Sequence, residues 1–282
     1  METLQEIKNR IQSIESTRQI TRSMRLVATS KVQRVRARMT ENRPFFHETE
    51  TMLLAVRQLL AGENHRYFAK RTEQKTAVVV ICGDRGLCGG YNVNAIKELS
   101  TLMRKRRDAQ IITVGQKARD YCRRRFPDNV AHSFASISEN PFFQDAREIA
   151  QLLLSWFDSG AADEIFVVYT RFETMLSHIP TTRQILPLPG DEQTAAIVQC
   201  EPAGADFLEQ AVPHYLTALL YNAILESATC EQSARISSMD AAARNADDMI
   251  ESLTLRYNQI RQDAITQELV EIVGGANAVR GQ

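Results

Sequence analysis

The stretch His214–Val273, HYLTALLYNAILESATCEQSARISSMDAAARNADDMIESLTLRYNQIRQDAITQELVEIV, runs sixty residues without one Gly or Pro. At 1.5 Å per residue an unbroken helix of that length would span roughly 90 Å, about three times the diameter of a small domain. Such a helix is too long for an ordinary core. Within it Ile236, Met239, Ala243, Ala246, Ile250, Leu253, Tyr257, Ile260 and Ala264 alternate spacings of three and four. That alternation is the heptad pattern of a two-stranded coiled coil. Ala242, Ala243, Ala246 and Ala264 on or beside the seam would let a partner helix approach closely.

The partner is expected at the other end of the chain. Met1–Arg43 also lacks Gly and Pro, and Leu4, Ile7, Ile11, Ile14, Val32, Val35 and Met39 share one heptad phase. Between them the same slots hold Arg18, Thr21, Arg25 and Ala28, while Ile20, Met24 and Val27 lie beside them. We expect the buried stripe to shift locally toward those three. Pro44 permits a kink, and the apolar pattern continues through Met52, Val56, Leu59 and Leu60 to Gly62. A chain that leaves along one helix and returns along the other pairs them antiparallel. Charge supports this pairing. Residues 1–43 hold ten Lys/Arg against four Asp/Glu, and residues 214–282 hold five against nine, although the whole chain is neutral. The basic first helix also favours an acidic partner.

Between the helices the pattern changes. Thr76–Cys82 (TAVVVIC) is β-branched and apolar on both faces, as a buried parallel strand requires. It runs into a glycine-rich turn, and a helical stretch follows over residues 92–107. Further strands are expected at 110–115, 130–137, 164–172 and 184–188, with helices ending near Arg125 and covering Phe142–Phe157. On the latter Ile149, Leu152, Leu153 and Trp156 share a face. Alternating strands and helices predict an open, mostly parallel α/β sheet with flanking helices, Rossmann-like in layout. Pro187, Pro189 and Gly190 mark a loop before Glu201, and the last helix begins near Asp206. The expected division is a first helical segment over residues 1–62, a central α/β domain over 75–200, and a last helical segment over 206–282.

Catalytic signals are weak. The turn reads Gly83-x-x-Gly86-x-x-Gly89-Gly90, which matches neither the dinucleotide fingerprint nor the P-loop, and no Lys-Ser or Lys-Thr follows it. The expectation is a tight loop in which Asp84 and Arg85 make polar contacts. The five cysteines, Cys82, Cys88, Cys122, Cys200 and Cys230, lack metal-site or redox spacing. The histidines are isolated, and neither a metal site nor a cofactor is expected. The arginines of the first helix are spread around it and the chain is neutral, which argues against nucleic acid. No apolar run reaches a membrane span, and Glu2, Glu6 and Glu15 argue against a transit peptide.

Three long segments together resemble one family. IKNRIQSIESTRQITRSMRLVATSKVQR (Ile7–Arg34), DRGLCGGYN (Asp84–Asn92) and the region Glu226–Gly275, ending in YNQIRQDAITQELVEIVGG, are similar to the N-terminal, central and C-terminal motifs of the gamma subunit of the F-type ATP synthase. The resemblance implies a non-catalytic rotor shaft in the bore of a ring of alpha and beta subunits. Its foot would rest beside the epsilon subunit on a membrane ring of c subunits. Membrane association would then be indirect, at the cytoplasmic face of a bacterial membrane, with proton or sodium flow as the drive. It implies rotor-coupling contacts for Met24, for Glu231 and Arg235, and for Arg261, Gln262 and Thr266. It also marks Asp84, Arg85, Gly86, Gly89 and Gly90 as the central motif. Cys230 and Ile236 depart from the family's usual Ser and Met, and both changes are near-isosteric.

Overall fold

The computed structural model describes residues 3–59, 65–69, 71, 75–188 and 205–280. The expected helix end at Gly62, the loop residues Pro189 and Gly190, Cys200 and Glu201 lie outside the described residues. In chain order the elements are α1 (Leu4–Leu59), β1 (Thr76–Ile81), α2 (Tyr91–Lys105), β2 (Gln110–Val114), α3 (Gln116–Arg125), β3 (Val130–Phe134), α4 (Phe143–Asp158), β4 (Glu164–Phe172), β5 (His178–Leu186) and α5 (Ala205–Arg280). Contacts divide the chain into two units. One contains residues 1–27 and 238–282, the other residues 28–237.

The first unit is a pair of helices. Arg18 binds Asp247 at 2.8 Å and Arg25 binds Asp240 at 3.3 Å. Numbers that rise on α1 fall on α5, so the helices are antiparallel. Arg22 also reaches Asp247, at 3.2 Å. These exposed pairs set register more than they stabilise. The seam itself is apolar and small: Ile7, Met239 and Ala246 are buried. The expected local shift of the α1 stripe does not occur. Thr21 is buried, whereas Ile20 is 59% and Val27 57% exposed, and Met24 is partly buried. The register places the Ala242–Ala243 turn opposite Thr21. Small side chains there let the backbones close together, and the bulkier Ile20 and Val27 would hold them apart.

The second unit is built on a five-stranded sheet in the order β3-β2-β1-β4-β5. β1 is parallel to β2 and β4, β2 is parallel to β3, and β4 is antiparallel to β5. Every residue of β1 is buried, and successive side chains enter opposite layers. Ala77, Val79 and Ile81 pack with α4, with the final turns of α1 (Leu53, Val56) and with α5 from Leu208 to Ile224. Val78 and Val80 pack with Ala95, Leu99 and Met103 of α2 and with Ala118 and Cys122 of α3. On α4 the buried face is Ala146, Ile149, Ala150, Leu153 and Phe157. Leu152 and Trp156, expected on that face, lie at its margin. β5 begins six residues before the expected Gln184 and includes Pro180. Proline is tolerated there because β5 is an edge strand.

The stripe assignment is testable by substitution. Ile20→Ser and Val27→Ser should each leave the stability of the free chain within about 0.5 kcal/mol, as for exposed positions. Ile7→Ala should cost about 2 kcal/mol or more. Denaturant melts followed by helicity would measure both, and a large loss at Val27 with little at Ile7 would reverse the assignment.

Candidate functional site: the glycine turn and its seat on the last helix

In an open α/β sheet, ligands bind outside the carboxyl ends of the strands, where the strand order reverses. Here that point lies between β1 and β4. β1 is aligned with β4 only as far as Val80 and Val168. Beyond it the chain turns away into Gly83–Gly90, and β4 continues alone on that side to Phe172. Side chains of α5 take over the vacated edge. The N–H of Thr170 donates to Ser227 Oγ at 3.1 Å, and that of Phe172 donates to Glu226 Oε2 at 3.1 Å. Cys230 Sγ donates to the Thr170 carbonyl at 3.6 Å. The ladder is therefore extended by a helix, which meets the demand that buried backbone groups find partners.

The turn is held from the same helix. A Cβ on Gly83 would lie 2.7 Å from the Glu231 carboxyl carbon, so any larger residue there would have to displace that carboxyl group. Glu231 Oε1 accepts from Arg235 Nη2 at 2.7 Å, and the same nitrogen donates to the Gly86 carbonyl at 3.2 Å. Both side chains are almost wholly buried, with Glu231 1% and Arg235 7% exposed. Burial pushes the Glu231 carboxyl pKa up against the pull of Arg235 and Ser138, and nearby Asp84 pushes it the same way.

Asp84 organises the rest of the turn. Its Oδ1 accepts from the N–H of Gln116 at 3.0 Å and from that of Ser136 at 2.9 Å, and its Oδ2 accepts from Ser138 Oγ at 2.8 Å. Gln116 is the first residue of α3, where a carboxylate suits the helix dipole. Asn92 Oδ1 accepts from the Gly83 N–H at 2.8 Å, and its Nδ2 donates to the Arg85 carbonyl at 3.2 Å. Gly89 adopts a φ of 55° and Leu87 one of 60°, left-handed conformations that glycine adopts freely and leucine rarely. Arg85 reaches outward to Glu139, which also receives Lys31 of α1 at 3.9 Å. Gly90 stands at the N-cap of α2. Cys88 is buried and its thiol pKa is raised by burial, so it is a packing residue.

The other positions named from sequence lie elsewhere. Arg261, Gln262 and Thr266 are exposed on α5. The Arg18–Asp247 register would put Leu4, where α1 starts, near residue 261. From Arg261 to Gly274 every residue is exposed, including Leu269, Val270, Ile272 and Val273. The arrangement thus comprises two features of different kind: a buried polar joint, and a helical end that presents apolar side chains to solvent.

A family model described as ATP synthase matches residues 3–279. The ATP synthase gamma chain of Alkaliphilus metalliredigens is 37% identical, over 98% of this chain and 99% of its own length. The chain belongs to the ATP synthase gamma family. The sodium ion specific gamma chain of Acetobacterium woodii is 35% identical over 99% of both chains. Among solved structures, the central stalk and c-ring of the Tetrahymena thermophila mitochondrial ATP synthase includes a chain that superposes with a TM-score of 0.63. That chain is 25% identical, and the match covers 79% of this chain and 99% of that one. Gamma-family chains are non-catalytic subunits, and in this one the crevice where an α/β enzyme would hold its ligand is filled by α5.

Sequence reasoning named Asp84 and Arg85 as part of the turn and Glu231 and Arg235 as coupling residues, but not the contacts that join them. Gly83, Asn92, Ser138, Glu226 and Ser227 carry the joint too. A signal was present: residues 226–235 (ESATCEQSAR) are polar and small just before the heptads begin at Ile236.

Arg235→Met would leave the Glu231 carboxylate buried without its counterion, at a cost of about 3–5 kcal/mol. Adding Glu231→Gln should recover most of that loss, because no charge is then buried. The Glu231 pKa is raised on folding, so protonation favours the folded chain. The deficit of Arg235→Met should be largest at high pH, shrink as pH falls through the raised value, and settle below it at the smaller loss left by the missing Arg235–Gly86 hydrogen bond. Denaturant melts across pH would show this, and a deficit independent of pH would overturn the buried-charge account.

Proposed function

We propose that this chain is the central rotor stalk of an ion-driven ATP synthase. On this reading it couples rotation of a membrane c-ring to sequential conformational change at catalytic beta subunits. The support is the full-length family match, joined to an antiparallel helix pair whose exposed surface is partly apolar. Alpha and beta subunits would enclose the paired helices, and the α/β unit would meet the epsilon subunit and the c-ring. No helix among the described residues is long and apolar enough to cross a membrane. On this reading the chain is peripheral, at the cytoplasmic face of a bacterial membrane, with protons or sodium ions as the drive.

The residues suggest how such a part works. A rotating shaft can bias a ring only if it binds the ring's states differently. Ile20 and Val27, seven residues apart, form an exposed apolar strip on one face of α1, with Leu26 exposed about 100° round the helix. Apolar contact has no preferred direction, so such a strip can slip past a sleeve without breaking hydrogen bonds. Arg261, Gln262 and Thr266 supply the opposite quality. A charge-assisted hydrogen bond to a beta-subunit acidic group grips at one angle and releases at others. Met24 would sit at the same sleeve. Glu231 and Arg235 are assigned an indirect role in coupling, since they hold the glycine turn to α5 and leave Arg85 at the surface.

Reconstitution with alpha and beta subunits tests the proposal. Cys88 is buried, so the probe is placed at Val93→Cys, a position 53% exposed on α2, with the native cysteines replaced. Stepwise probe rotation that requires ATP is expected. A stable complex that hydrolyses ATP with a stationary probe would sink the rotor assignment. Arg261→Ala with Gln262→Ala should slow hydrolysis about tenfold, the loss of one charge-assisted contact.

A further inference from the structure

The sheet has a second end. Opposite the glycine turn, at the amino ends of the parallel strands, positive charge collects. α2 reaches this edge with Arg104 and Lys105, and Arg107 follows before β2. α3 reaches it with Arg123, Arg124 and Arg125. The two groups are fixed side by side, because Asn129 Nδ2 donates to the carbonyls of Arg107 and Ala109, each at 3.0 Å. Lys75, just before β1, lies on the same edge and its Nζ donates to the Gly160 carbonyl at 3.5 Å. A cleft of about 540 Å³ opens between Lys75, residues 105–110 and Ala161.

These charges are mostly unspent within the protein. Arg106 binds Glu164 at 2.9 Å, and Arg124 Nε donates to the Asp120 carbonyl at 3.0 Å. Among the described residues Arg104, Lys105, Arg107, Arg123 and Arg125 form no ion pair, and all five are exposed. Asp108 and Asp128 are the exposed carboxylates beside them. A helix dipole accounts for a cation in a last turn. It does not account for Arg107, which lies outside the helices.

The chemistry of the patch selects its partner. No large hydrophobic residue from 94 to 141 is exposed. A protein interface has an apolar core inside a polar rim, and this edge offers only the charge. A layer of anionic headgroups needs nothing more, since its surface potential attracts clustered Lys and Arg without an anchor. We propose that the amino edge of the sheet docks on an anionic lipid headgroup surface. The choice of lipid over other polyanions rests on the reading of the chain as a subunit of a membrane motor.

The experiment is flotation of the full chain with phosphatidylglycerol vesicles, with phosphatidylcholine vesicles as the neutral reference. Binding should require the anionic lipid and weaken steeply as salt shortens the screening length below about 8 Å. Binding to neutral vesicles would report the apolar end of α5 instead and would count against the proposal. Arg123→Gln, Arg124→Gln and Arg125→Gln together should weaken binding about a hundredfold, since about one and a half basic residues near such a surface are worth a factor of about ten. The same charge removed as Lys8→Gln, Arg34→Gln and Arg36→Gln should leave most of it, and circular dichroism would confirm both variants folded. Equal losses in the two variants, or tighter binding to a DNA duplex than to the vesicles, would overturn the lipid assignment. ATP-driven rotation of the soluble complex with alpha and beta subunits needs no membrane. Its failure would strike the stalk reading alone, and a failure of flotation would strike the edge alone.

Discussion

The carboxyl group of Glu231, seated against the bare backbone of Gly83 and held by Arg235, is the contact on which the architecture turns. It seats the turn into which β1 leads, on the same helix whose neighbouring side chains, Ser227, Glu226 and Cys230, take over the vacated edge of β4. Placing a carboxylate and a guanidinium out of water costs several kcal/mol per ion, which their attraction repays only with good geometry and further hydrogen bonds. Arg235 finds both, in the carboxylate and in the Gly86 carbonyl. The more general gain from such a pair is a single register. Apolar surfaces could slide by a helical turn at modest cost, whereas a shift of α5 would strand two buried charges and leave the N–H groups of Thr170 and Phe172 without partners.

The same contact explains why a sheet with Rossmann-like order and a glycine turn is not built as a nucleotide site. The physical requirements for phosphate are present in outline: glycines, a turn after the first strand, and a following helix. The volume is not. Glu231 brings negative charge into the place an anion would take, and Asp84 commits its carboxylate to Gln116, Ser136 and Ser138. Glycine at position 83 therefore admits the chain's own side chain, where in a nucleotide fold it would admit a pyrophosphate.

Much of this was legible in the sequence, and the illegible part has a common cause. β1 and the heptads after Ile236 followed from periodicity, because each side chain there meets one kind of environment, and the antiparallel pairing followed from the return of the chain and the opposite charges of the two helices. The α1 stripe was misread around Thr21, where helix approach is set by small residues on the partner and periodicity weights large apolar ones. β5 was underestimated because Pro180 counts against a strand unless the strand is known to be an edge. The first part of α5 was least legible: residues 215–235 are buried on nearly every side, polar ones included. A helix surrounded by protein shows no stripe. Serine, cysteine and glutamate there are chosen by backbone groups of β4 and the turn, which are distant in sequence.

Joint and moving surface thus use different forces in one helix. Where α5 crosses the sheet it is fixed by directional bonds, each of which fails if the helix slips by a fraction of a turn. Past Ile236 its buried contacts are a narrow apolar seam, and its outward face carries isolated charges and aliphatic side chains that bind without direction. A part that must pass torque needs the first property at its root and the second along the length that turns. Polar burial at the root is expensive and position-specific, so it tolerates little substitution. The outer face tolerates more, provided that the seam persists. The division between buried polar and exposed apolar along α5 is the mechanical division of the chain, expressed in side-chain chemistry.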